Sequence, residues 1–116
     1  MAIEFDFTEV LQADWIINIL CKDDGGNALN ISAGNVRFRA SQQGVRVIDI
    51  GVGTGVVLTD PLNGAARVRV TPALQEGSPA VTQGQIQYEI DVVLADGTIV
   101  DQAYGNIDVL PSLFAV

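Results

Sequence analysis

Apolar and polar residues alternate with a period of two through most of this chain. In "DWIINILCK", Trp15, Ile17, Ile19 and Cys21 share one parity. In "NVRFRAS", Val36, Phe38 and Ala40 alternate with Arg37 and Arg39. "AARVRVTP" sets Ala66, Val68 and Val70 against Arg67 and Arg69, and "QIQYEIDVVL" sets Ile86, Tyr88, Ile90, Val92 and Leu94 against Gln87, Glu89 and Asp91. This is the pattern of β-strands with one buried and one wet face. "IEFDFT" (Ile3, Phe5, Phe7) and "GNIDVL" (Ile107, Val109) read the same way. Turn signals separate the runs: "DDGGN" at 23–27, "SAGN" at 32–35, "SQQG" at 41–44, "DPLNG" at 60–64, "EGSPA" at 76–80 and "ADG" at 95–97. They recur roughly every 8 to 15 residues, the spacing of an antiparallel sandwich. No window sustains a helical period; "TPALQEG" is expected to close as a single turn before Gly77. Without a repeat, a low-complexity segment or a linker, one domain over residues 1–116 is expected.

Composition narrows the function. The chain has 116 residues, 48% of them hydrophobic, enough for a core without staples. Its longest apolar stretch, "WIINIL", falls far short of the ~20 residues that span a bilayer, and no secretory signal opens the sequence. A net charge of −8 with only six Lys and Arg argues against a nucleic-acid binder. The single cysteine, Cys21, excludes an internal disulfide and a Cys-based zinc site. With no histidine there is no Ser-His-Asp triad, no Cys-His pair and no His metal ligand. Cys21 continues the apolar face of Trp15, Ile17 and Ile19, so an inert buried thiol is expected, with Trp15 as a core anchor.

One motif points the other way. "IDIGVGTG", within Val45–Leu58, is similar to the first motif of the S-adenosylmethionine-dependent methyltransferases. Such a loop works by joining a parallel strand to a helix whose N-terminus faces the ligand. After Gly55 the chain reads "VVLTDPLNG", a strand and a turn. The acid expected about 20 residues on has only Glu76 to supply it, in a loop-like run. The reading is that Gly51, Gly53 and Gly55 loosen a strand at a bend or bulge, and no cofactor is expected. "DDGGN" has the look of a calcium loop, but position twelve counted from Asp23 is Gly34 rather than a Glu, so it reads as a hairpin turn and no metal is expected. Glu89 and Asp91 read as part of a solvated strand face, not as an acid–base pair.

A second resemblance spans nearly the whole chain. "DFTEVLQADWIINILCKDDGGNALNISAGNVRFRA" resembles the opening of an Ig-like β-sandwich domain of phage and prophage tail proteins, similar to the N-terminal module of phage baseplate upper proteins. The acidic-glycine turn is Asp23-Asp24-Gly25-Gly26, followed by Leu29 to Gly34. The middle pattern is carried by Gly55 to Leu58, Asn63-Gly64 and Ala66 to Thr71; the end by Tyr88 to Leu94, Asp96-Gly97 and Gly105 to Val109. The departure is "VLQAD", where the family often has an Arg-Gly-Asp-type run. The resemblance implies an all-β, Ig-like antiparallel β-sandwich of seven to eight strands. It implies a non-enzymatic structural protein of a virion tail, made in the cytoplasm of the host bacterium, with itself or other phage tail proteins as partners. The alternative is a carbohydrate- or surface-binding sandwich module, which would need a clustered aromatic platform.

In an Ig-like sandwich "NVRFRAS" would lie beside "QIQYEIDVV", placing Arg37 and Arg39 near Glu89 and Asp91 on the outer face. Trp15, Ile17, Ile19, Cys21, Val36, Phe38, Val68, Ile86, Tyr88 and Ile90 are expected to be largely buried. The last segment, "LPSLFAV", is apolar apart from Ser112, and Pro111 should end the preceding strand. Leu113, Phe114 and Val116 are the candidate interface of a homo-oligomer.

Overall fold

The alternating segments fold as strands of two facing sheets in the computed structural model, which describes residues 2–77 and 79–112. The strands are β1 (Ile3–Glu4), β2 (Phe7–Val10), β3 (Trp15–Leu20), β4 (Asn35–Gln42), β5 (Val45–Ile50), β6 (Val56–Asp60), β7 (Ala65–Val70), β8 (Gly84–Val93) and β9 (Ile99–Leu110). The six-stranded sheet runs β1-β9-β8-β4-β5, with β2 also on β9; the three-stranded sheet runs β3-β7-β6. The fold is an all-β sandwich, as the alternation predicts.

The described residues hold nine strands rather than seven or eight, and the leading segment departs from an antiparallel plan. It splits into β1 and β2, and both run parallel to β9. The split has a local cause. Gly105 adopts φ 158 and its Cα lies against the Phe5 carbonyl, where any side chain would collide with backbone. Tyr88 Oη donates to that carbonyl, and Asp6 Oδ1 accepts from Asn106 N at 2.8 Å. The chain bends across Gly105 at Phe5 and Asp6 and resumes as β2.

Trp15, Cys21, Val36, Phe38, Val68, Ile86, Tyr88 and Ile90 are buried as expected. Ile17 and Ile19 are only half-buried, although they share the parity of Trp15. They sit on β3, an edge strand with no neighbour beyond it among the described residues. The predicted charge pairing is present, with Arg37 opposite Asp91 and Arg39 opposite Glu89 in register. Asp91, however, is not solvated: it is 3% exposed. The β8–β9 ladder shifts register at Ile90/Asp91, and two guanidiniums close over the carboxylate, from Arg37 at 2.8 and 3.0 Å and from Arg39 at 2.8 Å.

The glycine stretch is a corner. β5 leaves the large sheet at Ile50 and β6 enters the small sheet at Val56. Gly51 O accepts from Thr54 N at 3.0 Å and Val56 N at 3.1 Å. Gly55 has φ 134, and a Cβ there would lie 2.7 Å from Ile50 Cδ1 and 3.1 Å from the Arg69 carbonyl oxygen. A strand comes directly after Gly55, so the helix that a nucleotide-binding loop requires is not formed. "TPALQEG" closes as the one-turn helix α1 (Pro72–Gln75), capped by Thr71.

Candidate interaction surface

The two flanks of the sandwich are built differently. On one flank the corner at 51–55 carries the chain from β5 to β6, with Leu74 of α1 packed beside Gly55. On the other flank the edge of the large sheet, β1 and β2, stands beside β3 of the small sheet and leaves an apolar cleft of about 340 Å³. Phe7, Tyr88, Ile90 and Ala103 line it from the large sheet, and Ile17 and Ile19 from β3. Ile3 and Phe5 form one rim at 66% and 61% exposure, and Leu20 the other at 63%. The Phe7 ring bridges rim and floor, 6.0 Å from Phe5 and 5.0 Å from Tyr88 between centroids.

Two glutamines hold the backbone just before and just after β3. At one end Gln75 ties the β2–β3 turn: its Nε2 donates to Ala13 O at 2.6 Å and its Oε1 accepts from Gln12 N at 2.7 Å. At the other end Gln102 takes the place of a strand: its Oε1 accepts from Lys22 N at 2.8 Å and its Nε2 donates to Lys22 O at 2.9 Å. Between them no strand pairs with the outer edge of β3 among the described residues. Cys21 N donates to Gly64 O at 2.7 Å, which turns the odd-numbered backbone groups toward β7. The N–H and C=O groups of Ile16, Asn18 and Leu20 then point away from β7, toward the open side.

Exposed edges are normally blunted by charge, proline, bulges or breaks. β5 carries Arg46 and Asp49, β6 shifts register near its end and runs into Pro61, and the β1–β2 edge is interrupted. β3, "WIINIL", has no charge, no proline and no register shift. Its apolar residues also occur on both parities, with Ile16 and Leu20 on the outer face. That double parity is the sequence signal for this surface, and a reading by alternation alone passes over it.

Burial sets the chemistry of the groups near the core. It pushes the Cys21 thiol up to about 11, so this cysteine is an inert core residue. Burial, followed by the charge of Asp6, pushes the Tyr88 phenol up to about 12. Glu9 stands opposite Val109, and burial raises its pKa above the ordinary carboxylate value. Asp23 of "DDGGN" spends its carboxylate on the turn, accepting from Gly25 N and Asn27 N at 2.9 Å. Among the described residues no three His, Cys, Asp or Glu side chains are grouped to hold a metal.

The outer face of the large sheet carries a shallow polar depression lined by Arg39, Ser41, Arg46, Gln87, Glu89 and Tyr104. Tyr104 is the one exposed aromatic there, short of the clustered platform that a sugar-binding face uses. Leu113, Phe114 and Val116 lie outside the described residues; the described chain reaches Ser112, beside Val10, Leu11, Gln12 and Ala13. No helix among the described residues is long and apolar enough to cross a membrane. No protein-family model matches the chain, and no curated protein is similar to it.

Proposed function

We propose that this protein is a non-enzymatic structural component of a phage or prophage tail that docks on copies of itself or on neighbouring tail proteins. The observation that carries the docking is the open flank: an unblunted apolar edge strand beside a cleft rimmed by Ile3, Phe5 and Leu20. Monomeric proteins seldom leave contiguous apolar surface of this kind, and such patches mark contact sites. The tail setting is supported by the chain-long resemblance of residues 6–109 to Ig-like tail domains. The carbohydrate-binding alternative has only Tyr104 to stack a ring on the exposed polar face.

Two measurements test this. Sedimentation velocity at high micromolar concentration should show an oligomer. Mass spectrometry of purified particles from the source phage or induced prophage should find the protein in stoichiometric amount with the tail. A monomer that is missing from such particles would end this reading.

A further inference from the structure

We propose that copies of this chain stack head to tail, the outer face of the small sheet of one copy lying on the outer face of β9 and β1 of the next. The inference rests on the self-docking reading above and gives it two matching faces. The two sheets pack against each other, so their outer faces look in opposite directions. The small-sheet face follows from register. Ile16 pairs with Arg69, and Arg67 with Asn18 on one side and Val57 on the other; residues paired in this way share a face. Ile16 is 54% exposed, Val57 60% and Leu20 63%, so three branched aliphatic side chains stand in water beside two exposed arginines. Arg67 Nε donates to the neutral Asn18 Oδ1 at 3.0 Å. Of the two arginines, Arg69 alone has an acidic partner among the described residues, Asp14 at 2.9 Å. In a chain of net charge −8 this sheet runs against the trend: Lys22, Arg67 and Arg69 outnumber Asp14 and Asp60 on its strands and at their ends.

The acidic excess collects on the other side of the sandwich. Glu4 pairs with Tyr104, and Thr8 and Gln85 flank Asp108. Asp6 lies between those rungs, in a shallow groove shared with Asn106 and Asp108. Asp101 stands further along β9, opposite Asp91. Glu4, Asp6, Asp101 and Asp108 are exposed, and none of them has a Lys or Arg partner among the described residues. Tyr104, 46% exposed, adds apolar ring surface to this face.

Charge selects the occupant. Two small-sheet faces laid on each other would set arginine against arginine, and two β9 faces would set carboxylate against carboxylate; like charges at a contact cost affinity. The small-sheet face of one copy on the β9 face of another gives the arginines four carboxylates that have no cation of their own. The spacing agrees. Arg67 and Arg69 are two residues apart on β7, about 7 Å. Glu4 and Asp6 are held against Tyr104 and Asn106, also two residues apart, on β9. Each copy carries both faces on opposite sides, so the contact is heterologous and builds a ring or a filament instead of closing as a dimer.

The test is sedimentation velocity on the full chain and on two charge-reversed variants, Arg67→Glu with Arg69→Glu, and Glu4→Lys with Asp108→Lys. Wild type should form species larger than a dimer that shift toward monomer as salt rises. Each variant alone should need at least about tenfold more protein to assemble. Mixing the two should restore assembly, because the reversed faces match each other and the untouched faces still match. Arg46→Glu, a charge reversal on β5 at the far edge of the large sheet, should assemble as wild type does. All of these side chains are exposed, so the variants keep the fold, which circular dichroism verifies. Four results overturn the proposal. An oligomer that neither variant weakens, or that only one of them weakens, keeps self-docking and discards this pair of faces. Variants that fall apart singly and stay apart when mixed discard the contact between them. A wild type that stops at a dimer discards the head-to-tail arrangement. A wild type that is monomeric at high micromolar concentration removes self-docking as well.

Discussion

On the closed flank, Ile48, Ile50 and Val56 are nearly sealed from solvent, because a chain crossing and α1 lie over them. On the open flank Ile17 and Ile19 have the same inward parity and similar side chains, yet they stay half-exposed. The residue types are alike; the neighbours differ. Parity tells a side chain which face of its strand it occupies, and the strand's position within the sheet decides how much water it loses. The closed flank spends glycines and a helix turn on its cover. On the open flank β3 is tied just before and just after its ends, by Gln75 of α1 and Gln102 of β9, and apolar side chains line the cleft beside it.

This contrast can be broken at graded cost. Trp15, the first residue of β3, is fully buried, with its Nε1 donating to Val10 O at 2.9 Å. Trp15→Ala should cost about 3–5 kcal/mol in urea unfolding, and a loss near 1 kcal/mol would mean that the open flank does not share the main core. At the closed corner, Gly55→Val forces a β-branched side chain into φ 134 against Ile50 and the Arg69 carbonyl. It should cost about 1–3 kcal/mol; a neutral result would show that the corner is slack.

Ile17→Ala on the half-open strand should cost about 1–2 kcal/mol, less than the ~2–5 kcal/mol of a fully buried site. A full-sized loss in dilute, monomeric protein would mean that something else covers the cleft. The smallest effect is a pH dependence confined to the open flank. Burial raises the folded-state pKa of Glu9, so its contribution is fully present below its unfolded pKa and lost as pH rises through the folded value. Glu9→Gln should therefore raise the melting temperature near neutral pH, and the gain should vanish below the ordinary carboxylate range of about 4. An equal gain at both pH values would trace the effect to packing rather than charge.

Much of this was legible in the sequence. The Ig-like plan put "NVRFRAS" beside "QIQYEIDVV" with Arg37 and Arg39 near Glu89 and Asp91, and β4 does pair with β8 at those residues. The strand and turn residues after Gly55 showed that Gly51–Gly55 form a bend rather than a nucleotide loop; that the bend carries the chain from one sheet to the other is seen only in the fold. Three things were hidden for a common reason: they depend on contacts between residues far apart in the chain. The parallel course of β1 and β2 is set by Gly105 and Asn106; the burial of Asp91 by Arg37 and Arg39; the clamps at Gln75 and Gln102 by backbone about 60 and 80 residues away. A glutamine in a polar stretch carries no local mark of such a role. The expected interface at Leu113, Phe114 and Val116 lies beyond the described residues, while the surface that the structure does describe is built from Ile3, Phe5 and Leu20.

The parallel pairing of β1 and β2 with β9 also fixes an order of assembly. The bond between Asp6 and Asn106 closes a loop of 100 residues. All three strands of the small sheet emerge from the ribosome before β8 or β9 exists. Ile3, Phe5 and Phe7 have no sheet to join until β9 arrives, and contacts of such sequence separation form slowly. Through that interval Ile3, Phe5 and Phe7 of the nascent chain stay without their strand partner. The two strands that become the rim of the cleft are the last to be placed.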